Sequence, residues 1–494
     1  MTTIESSHQK LSAERARLQA ALSTLGLSRQ DGVAEPWRGD QTTAVAPSPV
    51  AIVQPKSSDE VMAAVQWARR QRVPLATFSS GAGAHARGLT ASEPTVVLDL
   101  SGLRRIIDVD ECDAMAIVEP GVTFAMLDAR LASLGLRSYR PLMPRANKSV
   151  IASLLEREPQ LNAHAHWDVL DPFGAGEIVF GTGELFRTGS AAIAGTMSEQ
   201  LAAGVRFLTA YGPAGTDFLR VVQGAQGTLG IVTWAAIQCE RTPAVERAYF
   251  IADNSPARLT QLLAWMHWRR LGNAAFLANG QQMASLMKPD AAGVADLTGR
   301  LPPWAIWLRI GHGGSEFPQE QFDGELEELQ QQAAEYGLKV EPALAGMPAD
   351  ALGQVLQAEP KDLYQNRLLG AHRSVFCLQQ LDRVEALVSA AQAVLAQRGW
   401  SATQLSVYVQ PRLQGRNAHV EFILPHAPAD AAVAAELAER LAQALQGAGG
   451  FFSRPYGAWA PMAYAKHLAL QPYLRQTKAL FDPDRILNPG RLCY

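Results

Sequence analysis

The 494-residue chain has few cysteines, no long apolar run and almost no excess of charge of either sign. Its four cysteines lie far apart and form no CxxC pair, which argues against an iron–sulfur cluster or structural zinc and fits a reducing compartment. A formal net charge of −3 gives no electrostatic reason to expect nucleic acid as a partner. Because no apolar run reaches about 18 residues, the sequence predicts a cytoplasmic protein without membrane insertion.

The composition that remains is that of a globular protein, with 18% charged and 48% hydrophobic residues. The chain is too long for one hydrophobic core, so more than one domain is expected. Strand-like and helix-like segments alternate as far as residue 243, and long Ala/Gln/Glu-rich helical segments follow. The sequence predicts an α+β fold with these parts: an N-terminal helix and linker (1–47), a first domain (48–243), an inserted α+β unit (244–450) and a segment that returns to the first domain (451–494).

Two glycine-rich segments are the most distinctive motifs. Residues 79–88 read SSGAGAHARG, and residues 224–233 read GAQGTLGIVT. Glycine lets bare backbone approach a ligand, and the successive N–H groups of the first segment could form a nest for phosphate. The glycine spacing is not GxGxxG, so it does not predict a Rossmann unit. A plain surface loop stays the alternative interpretation of the first segment.

With Glu119-Pro120-Gly121 and the C-terminal Leu487-Asn488-Pro489-Gly490, these segments resemble the superfamily of vanillyl-alcohol oxidase and p-cresol methylhydroxylase (PCMH). The resemblance implies a PCMH-type FAD-binding domain of two subdomains with an inserted α+β cap (substrate) domain, and FAD as the cofactor. The cofactor-binding residues that it implies are Ser79, Ser80, Gly81, Ala82, Gly83, Ala84, His85, Gly88, Ser149, Ile231, Val232, Asn488 and Arg491.

The candidate catalytic residue is His419, in the predicted cap. Residues 416–422 read RNAHVEF, and the two-residue period of a strand puts His419 and Glu421 on one face and Val420 and Phe422 on the other. Polar residues on one face of an otherwise apolar strand indicate a cavity lining. A histidine on a solvated sheet face is the alternative.

The resemblance implies that His419 faces the flavin, where a histidine can also carry the cofactor covalently. His85, in the first glycine-rich segment, is the rival site of attachment. Tyr408, on the preceding predicted strand, is a weaker candidate for a hydroxyl in the same cavity, with a core tyrosine as the alternative.

Three motifs of related enzymes are missing. Phenol oxidases of the superfamily place an acid directly before a His-Trp pair, whereas Ala165 stands there in this chain and Asp168 is the nearest candidate. They also bind phenolate with a Tyr-Arg pair near the C-terminus, but residues 457–460 read GAWA, so the sequence predicts no such clamp. The hydroxyacid branch has a metal motif, HxGDGNxH, that is absent, and no metal is expected.

The resemblance therefore implies an FAD-dependent oxidoreductase, an oxidase or a dehydrogenase, that takes a hydride from an alcohol or 4-substituted phenol onto flavin N5. Two alternatives stay open: the flavoprotein subunit of a 2-hydroxyacid (lactate- or glycolate-type) dehydrogenase, and a catalytically silent partner subunit. The expected partners are a small-molecule substrate, dioxygen or a redox protein as electron acceptor, and a second copy of the chain in a homo-oligomer.

Overall fold

The computed structural model describes residues 2–31, 49–80, 94–162, 172–212, 215–401, 404–412 and 416–494. The α-helices in these ranges are α1 (Thr2–Ser23), α2 (Ser58–Gln71), α3 (Phe124–Leu131), α4 (Val150–Leu155), α5 (Met197–Ala202), α6 (Phe218–Val222), α7 (Pro256–Arg269), α8 (Gly280–Met287), α9 (Ala291–Thr298), α10 (Pro318–Glu335), α11 (Ala349–Gln357), α12 (Val384–Gln397), α13 (Ala431–Gly447), α14 (Ala460–Ala465) and α15 (Gln471–Phe481). Not one of these described helices combines the length and the hydropathy needed to cross a lipid bilayer.

The strands in the same ranges are β1 (Arg29–Asp31), β2 (Ala51–Val53), β3 (Leu75–Phe78), β4 (Val96–Asp99), β5 (Ile106–Asp110), β6 (Met115–Val118), β7 (Leu136–Ser138), β8 (Phe173–Phe180), β9 (Leu185–Arg187), β10 (Gly230–Arg241), β11 (Val245–Asp253), β12 (Ala274–Asn279), β13 (Trp304–His312), β14 (Val340–Glu341), β15 (Ala343–Leu344), β16 (Met347–Pro348), β17 (Ala371–Gln379), β18 (Ser406–Arg412) and β19 (Asn417–His426). The mixed α and β content confirms the predicted fold class.

The first sheet has four strands in the order β1-β2-β4-β3, with β2, β4 and β3 parallel. Helix α2 links β2 to β3 and buries Val61, Val65 and Ala68 against this sheet. Ser57 caps the start of this helix, because its side chain accepts a hydrogen bond from the backbone N–H of Glu60. Strand β3 ends directly before the first glycine-rich segment in the sequence.

The second sheet has six strands in the order β5-β6-β10-β8-β9, and β7 pairs with the end of β10. The long strand β10 follows directly on the second glycine-rich segment and runs antiparallel to β8. Strands β8 and β9 form a hairpin in which Glu177 lies opposite Arg187. Both glycine-rich segments are therefore attached to buried strands.

The third sheet lies within residues 244–450 and has seven antiparallel strands in the order β14-β11-β13-β12-β18-β19-β17. One of its faces packs on α7, α10, α12 and α13, and this core contains Val420 and Phe422 of β19. The opposite face carries His419 and Glu421, which line a cavity. The predicted alternation along β19 is confirmed.

The C-terminal segment joins the first sheet after leaving the third. Leu487 forms a parallel bridge with Leu75 of β3, and the N–H of Asn488 donates a 2.8 Å hydrogen bond to the Leu75 carbonyl. Behind this bridge the buried ammonium of Lys478 donates to the carbonyls of Thr228 and Leu487. The end of the chain is thereby fastened to β3 and to the segment before β10.

Candidate active site

An open cleft of about 900 Å³ lies where β3, α4 and the start of β10 meet, a size in the range of cofactor sites. Hydroxyl groups line one part of it, and apolar side chains line another. The lining residues include Thr77, Ser79, Ser80, Leu100, Ile151, Leu155, Glu156, Val222, Gln226, Ile231, Val232 and Arg491. The cleft thus offers polar donors and apolar walls side by side.

Five of the residues predicted to bind FAD line this cleft directly: Ser79, Ser80, Ile231, Val232 and Arg491. Ser149 lies behind them, because its N–H donates a 3.0 Å hydrogen bond to the Ser80 hydroxyl while its own hydroxyl caps α4. The remaining predicted residues of the first glycine-rich segment, Gly81, Ala82, Gly83, Ala84, His85 and Gly88, lie outside the described residues.

Asn488 is not among the residues that line the cleft, but it holds three of its segments together. Its side-chain oxygen accepts from the Thr77 N–H at 3.2 Å, and its amide donates to the Thr77 hydroxyl at 2.9 Å and to the Gln226 carbonyl at 3.0 Å. Gly227 has a φ of +70°, and a Cβ there would collide with this amide and hydroxyl. Asn488 therefore positions the cleft, and glycine is required at 227 for that contact.

The residues of the cleft fit FAD. The hydroxyls of Thr77, Ser79 and Ser80 and the guanidinium of Arg491 are donors suited to pyrophosphate and flavin oxygens. Apolar side chains such as Leu155 supply the surface that planar rings need. The donor set and the walls match a long ligand that is anionic in one part and aromatic in another.

A second cavity of about 760 Å³ adjoins the first and lies against the polar face of β17, β18 and β19. Its lining combines aromatic and charged side chains, among them Arg145, Lys148, Glu158, Tyr364, Phe376, Tyr408, His419, Glu421 and Arg454. The two spaces share a wall at the end of α4, since Glu156 lines the cleft and its partner Lys148 lines the cavity. A ligand of the second cavity would lie next to the cofactor cleft.

His419 is almost fully buried and has a partner at each ring nitrogen. Its Nδ1 lies 3.3 Å from Nη2 of Arg454, and its Nε2 lies 3.4 Å from Oε2 of Glu421. Because the guanidinium can only donate, Nδ1 accepts and the hydrogen is on Nε2. Burial lowers the pKa of His419 to about 4, despite the opposing hydrogen bond to Glu421, and the charge of Arg454 adds to the lowering. The imidazole is neutral at neutral pH.

Arg454 is the residue that sequence reasoning missed. Its guanidinium carbon lies 4.4 Å from the ring centroid of Phe376, and Nη1 donates to the backbone carbonyl of Glu156. The sequence predicts no phenolate clamp because residues 457–460 contain no arginine, whereas Arg454, a few positions earlier, lines the cavity. The arginine comes earlier, and Gln226 anchors its segment by donating a 2.7 Å hydrogen bond to the Pro455 carbonyl.

The other predicted catalytic residues have different outcomes. Tyr408 lines the cavity, but its hydroxyl donates a 2.7 Å hydrogen bond to Gln410, and burial raises its pKa well above the ordinary value. It is therefore a neutral wall residue. Asp168 lies outside the described residues. Within the described ranges, no set of three or more His, Cys, Asp or Glu side chains is grouped to hold a metal ion.

Arg145 and Lys148 were also missed as cavity residues, although they lie four positions and one position before Ser149 in the sequence. Burial lowers the pKa of Arg145, and its Nε and Nη2 have no hydrogen-bond partner among the described residues. Two basic residues beside a predicted cofactor segment were the available signal. Their direction toward a second cavity depends on the fold of 141–149 and could not be read from spacing.

Known proteins resemble both the sequence and the fold. A family model described as an FAD binding domain matches residues 49–156. Among solved structures, 4-ethylphenol oxidase from Gulosibacter chungangensis superposes with a TM-score of 0.76 and 18% identity, covering 92% of this chain and 91% of that one. p-Cresol methylhydroxylase with substrate bound gives 0.75 and 16%, covering 92% and 90%. The chain shares the fold of these two enzymes, and residues 49–156 match an FAD binding domain. This flavoprotein is an FAD-dependent oxidoreductase.

The relatives found by sequence are named for a different substrate class, the hydroxyacids, from the phenols in the names of these structures. D-2-Hydroxyglutarate dehydrogenase from Xanthomonas citri pv. viticola is 23% identical over 491 residues, which is 96% of each chain. Glycolate oxidase subunit GlcD from Bacillus subtilis is 27% identical over 210 residues, 42% of this chain and 40% of that one. The two groups differ in the substrates that their names give, so the lining of the second cavity is the remaining evidence on the substrate class.

Proposed function

We propose that this flavoprotein oxidises an alcohol or 4-substituted phenol that it binds as an anion in the second cavity. The observation that carries the proposal is the position of Arg454, whose guanidinium lies over Phe376 and beside the neutral imidazole of His419. A planar guanidinium between an aromatic ring and a hydrogen-bond acceptor is pre-organised to bind one oxygen anion.

The charges around the cavity support an anionic ligand. Three cations line it, Arg145, Lys148 and Arg454, against two carboxylates, Glu158 and Glu421. Among these lining side chains the formal surplus is one positive charge, three minus two. A ligand with one negative charge would neutralise it, and charge interactions are strengthened where water is excluded.

The aromatic walls favour a ring or another flat group in the ligand. Phe376 and Tyr408 lie on the two strands that flank the strand of His419, and their ring centroids are 5.3 and 6.0 Å from the imidazole. The hydroxyl of Tyr364 is already bonded to Gln282 at 3.0 Å, so this residue also presents its ring to the cavity. Aromatic rings pack well at such separations.

The protein's own groups would bind, orient and deprotonate the substrate. FAD, when bound, supplies the acceptor for the two electrons and the hydrogen that leave the substrate carbon. Arg454 would hold the substrate oxygen, and His419, neutral and fixed by Glu421, would orient both. The shared wall at Glu156 would place the reacting carbon beside the cofactor cleft.

A 2-hydroxyacid is the second candidate substrate, and one observation favours it. Arg145 has two buried donor atoms, Nε and Nη2, without a partner among the described residues, and these could bind a carboxylate in addition to the oxygen held by Arg454. The similarity to D-2-hydroxyglutarate dehydrogenase along nearly the whole chain supports the same choice.

Anaerobic bleaching of the bound flavin tests the proposal. The purified protein is mixed with benzylic alcohols, 4-alkylphenols and 2-hydroxyacids, and each acid or phenol is paired with its methyl ester or methyl ether. We expect a phenol or alcohol to bleach the flavin and its methylated partner to fail, because the ether cannot offer an anion to Arg454. Bleaching by a 2-hydroxyacid alone would select the second candidate, and equal bleaching by methylated and free forms would contradict anion binding.

A further inference from the structure

Lys148 is a buried cation held between two carboxylates. Only 2% of the residue is exposed, and its Nζ donates to Oε2 of Glu156 at 2.8 Å and to Oε1 of Glu158 at 2.7 Å. The second oxygen of Glu158 accepts a 2.7 Å hydrogen bond from the Ser153 hydroxyl. A buried ammonium is costly unless it is paired and hydrogen-bonded, so this cluster fixes each of its members.

The short helix α4 explains how these residues meet. Lys148 lies just before the helix, and the two glutamates follow its end. A helix of six residues is about 9 Å long, so the lysine and the glutamates start from opposite ends of that length. Arg157, between the glutamates, has a φ of +56°, so the chain turns sharply there. The N–H of Glu158 then donates back to the Ser153 carbonyl at 3.1 Å. The turn brings both carboxylates to the one ammonium.

The cluster occupies the wall between the two spaces of the site. Lys148 and Glu158 line the second cavity, while Glu156 lines the cofactor cleft. The other charged side chains around this cavity are Arg145, Arg454 and Glu421. Glu421 faces the imidazole of His419, and Glu158 is the other carboxylate that lines this cavity.

We propose that Glu158 is the catalytic residue that accepts the hydroxyl proton of the substrate, and that Lys148 and Ser153 position its carboxylate. This inference rests on the proposed function. The acid expected before His166-Trp167 is replaced by Ala165, and Glu158 supplies a carboxylate to the cavity from another segment.

The substrate O–H bond breaks and its proton goes to a carboxylate oxygen of Glu158, which leaves the oxyanion that Arg454 would hold. An electron pair of this oxygen then forms the new bond to carbon while the two electrons of the C–H bond leave with the hydrogen as a hydride. FAD, when bound, would supply the acceptor for that hydride. Glu158 then releases the proton to water, to which its partly exposed side chain has access.

Glu158→Gln tests the role, because the amide keeps the size and loses the basic oxygen. We expect the rate of anaerobic flavin reduction to fall on the order of 10²-fold at neutral pH, with loss of the acidic limb of its pH profile and little change in KM. Glu156→Gln alters the other partner of the same ammonium. It is expected to change FAD affinity and to leave the midpoint of that acidic limb in place.

A second measurement does not depend on turnover. Infrared difference spectra of the FAD-free protein should show a carboxylic acid band on acidification that is missing in Glu158→Gln. If Glu158→Gln does not fold, Ser153→Ala removes only the hydroxyl that stabilises the ionised carboxylate. The midpoint of the acidic limb should then move to higher pH, because the charged form loses a hydrogen bond.

The two proposals fail in different ways. A wild-type flavin that is reduced by no phenol, alcohol or hydroxyacid would contradict the proposed function. A wild-type flavin that is reduced normally, together with an unchanged rate and pH profile in Glu158→Gln, would overturn the role of Glu158 alone. An unchanged midpoint in Ser153→Ala would do the same where Glu158→Gln cannot be prepared.

Discussion

Nη2 of Arg454 lies 3.3 Å from Nδ1 of His419, and this contact joins the C-terminal segment to the cap sheet inside the second cavity. Arginine has no acceptor, so the contact requires a neutral imidazole with its hydrogen on Nε2. That hydrogen faces Oε2 of Glu421. A single guanidinium thus sets the state of the histidine while keeping its other donors for a ligand.

Arg454→Met should weaken substrate binding more than it alters folding. Loss of a charge-assisted hydrogen bond of about 1.5–3 kcal/mol corresponds to a rise in KM of roughly 10- to 100-fold for the anionic substrate. Steady-state kinetics measure it. Arg475→Met, which removes an arginine from the exposed surface of α15, is the matched control and should leave KM unchanged. Equal KM values in both variants would exclude Arg454 from ligand binding.

His419→Ala should lower the rate of flavin reduction on the order of 10²-fold, because Arg454 and the substrate lose the group that orients them. Stopped-flow absorbance under anaerobic conditions gives this rate, and His467→Ala on the exposed surface is the control. Both ring nitrogens of His419 already have protein partners, so we also expect acid precipitation to release the flavin into the supernatant. A yellow pellet that turns colourless in His419→Ala would instead show covalent attachment at this residue.

Asn488→Asp should loosen the cofactor cleft without changing the size of the side chain. The carboxylate cannot donate to the Thr77 hydroxyl or to the Gln226 carbonyl, and two hydrogen bonds are lost. At about 1 kcal/mol for each bond, FAD affinity should fall roughly 10-fold or more, and the melting temperature should drop. Fluorescence titration of the FAD-free protein measures the affinity. Asn254→Asp, on the exposed surface, should match the wild type.

His372 should make the protein less stable in acid. Burial lowers its pKa from 6.5 to about 4. As the pH falls from 6.5 to 4, the unfolded chain takes up a proton that the folded protein does not, so stability decreases through this window by on the order of 3 kcal/mol. Urea unfolding at pH 7 and near pH 4 should show a smaller decrease in His372→Gln than in His467→Gln. Parallel decreases would contradict the assignment.

Local patterns in the sequence were enough to predict much of the fold. The two faces of β19 follow from the period of two along the strand, which puts His419 and Glu421 on the cavity side. The resemblance supplied the cofactor cleft, where Ser79, Ser80 and Arg491 lie as lining residues. These features depend on neighbouring residues or on motifs that keep their order along the chain.

The charged groups of the second cavity could not be predicted in this way. Arg454 reaches His419 across 35 positions, and the pairing of Lys148 with Glu158 needs the left-handed turn at Arg157. Neither contact has a spacing rule, because both arise from the packing of separate segments. Sequence reasoning therefore found the imidazole and missed the charges around it.

The bridge between Leu75 and Leu487 also constrains how the protein is made. Strand β3 leaves the ribosome early, whereas its partner is translated only after the entire cap. A nascent chain with a finished first sheet still lacks Asn488, which positions the cleft, and Arg491, which lines it. We therefore expect the cleft to acquire its full set of FAD contacts only after the cap has been translated.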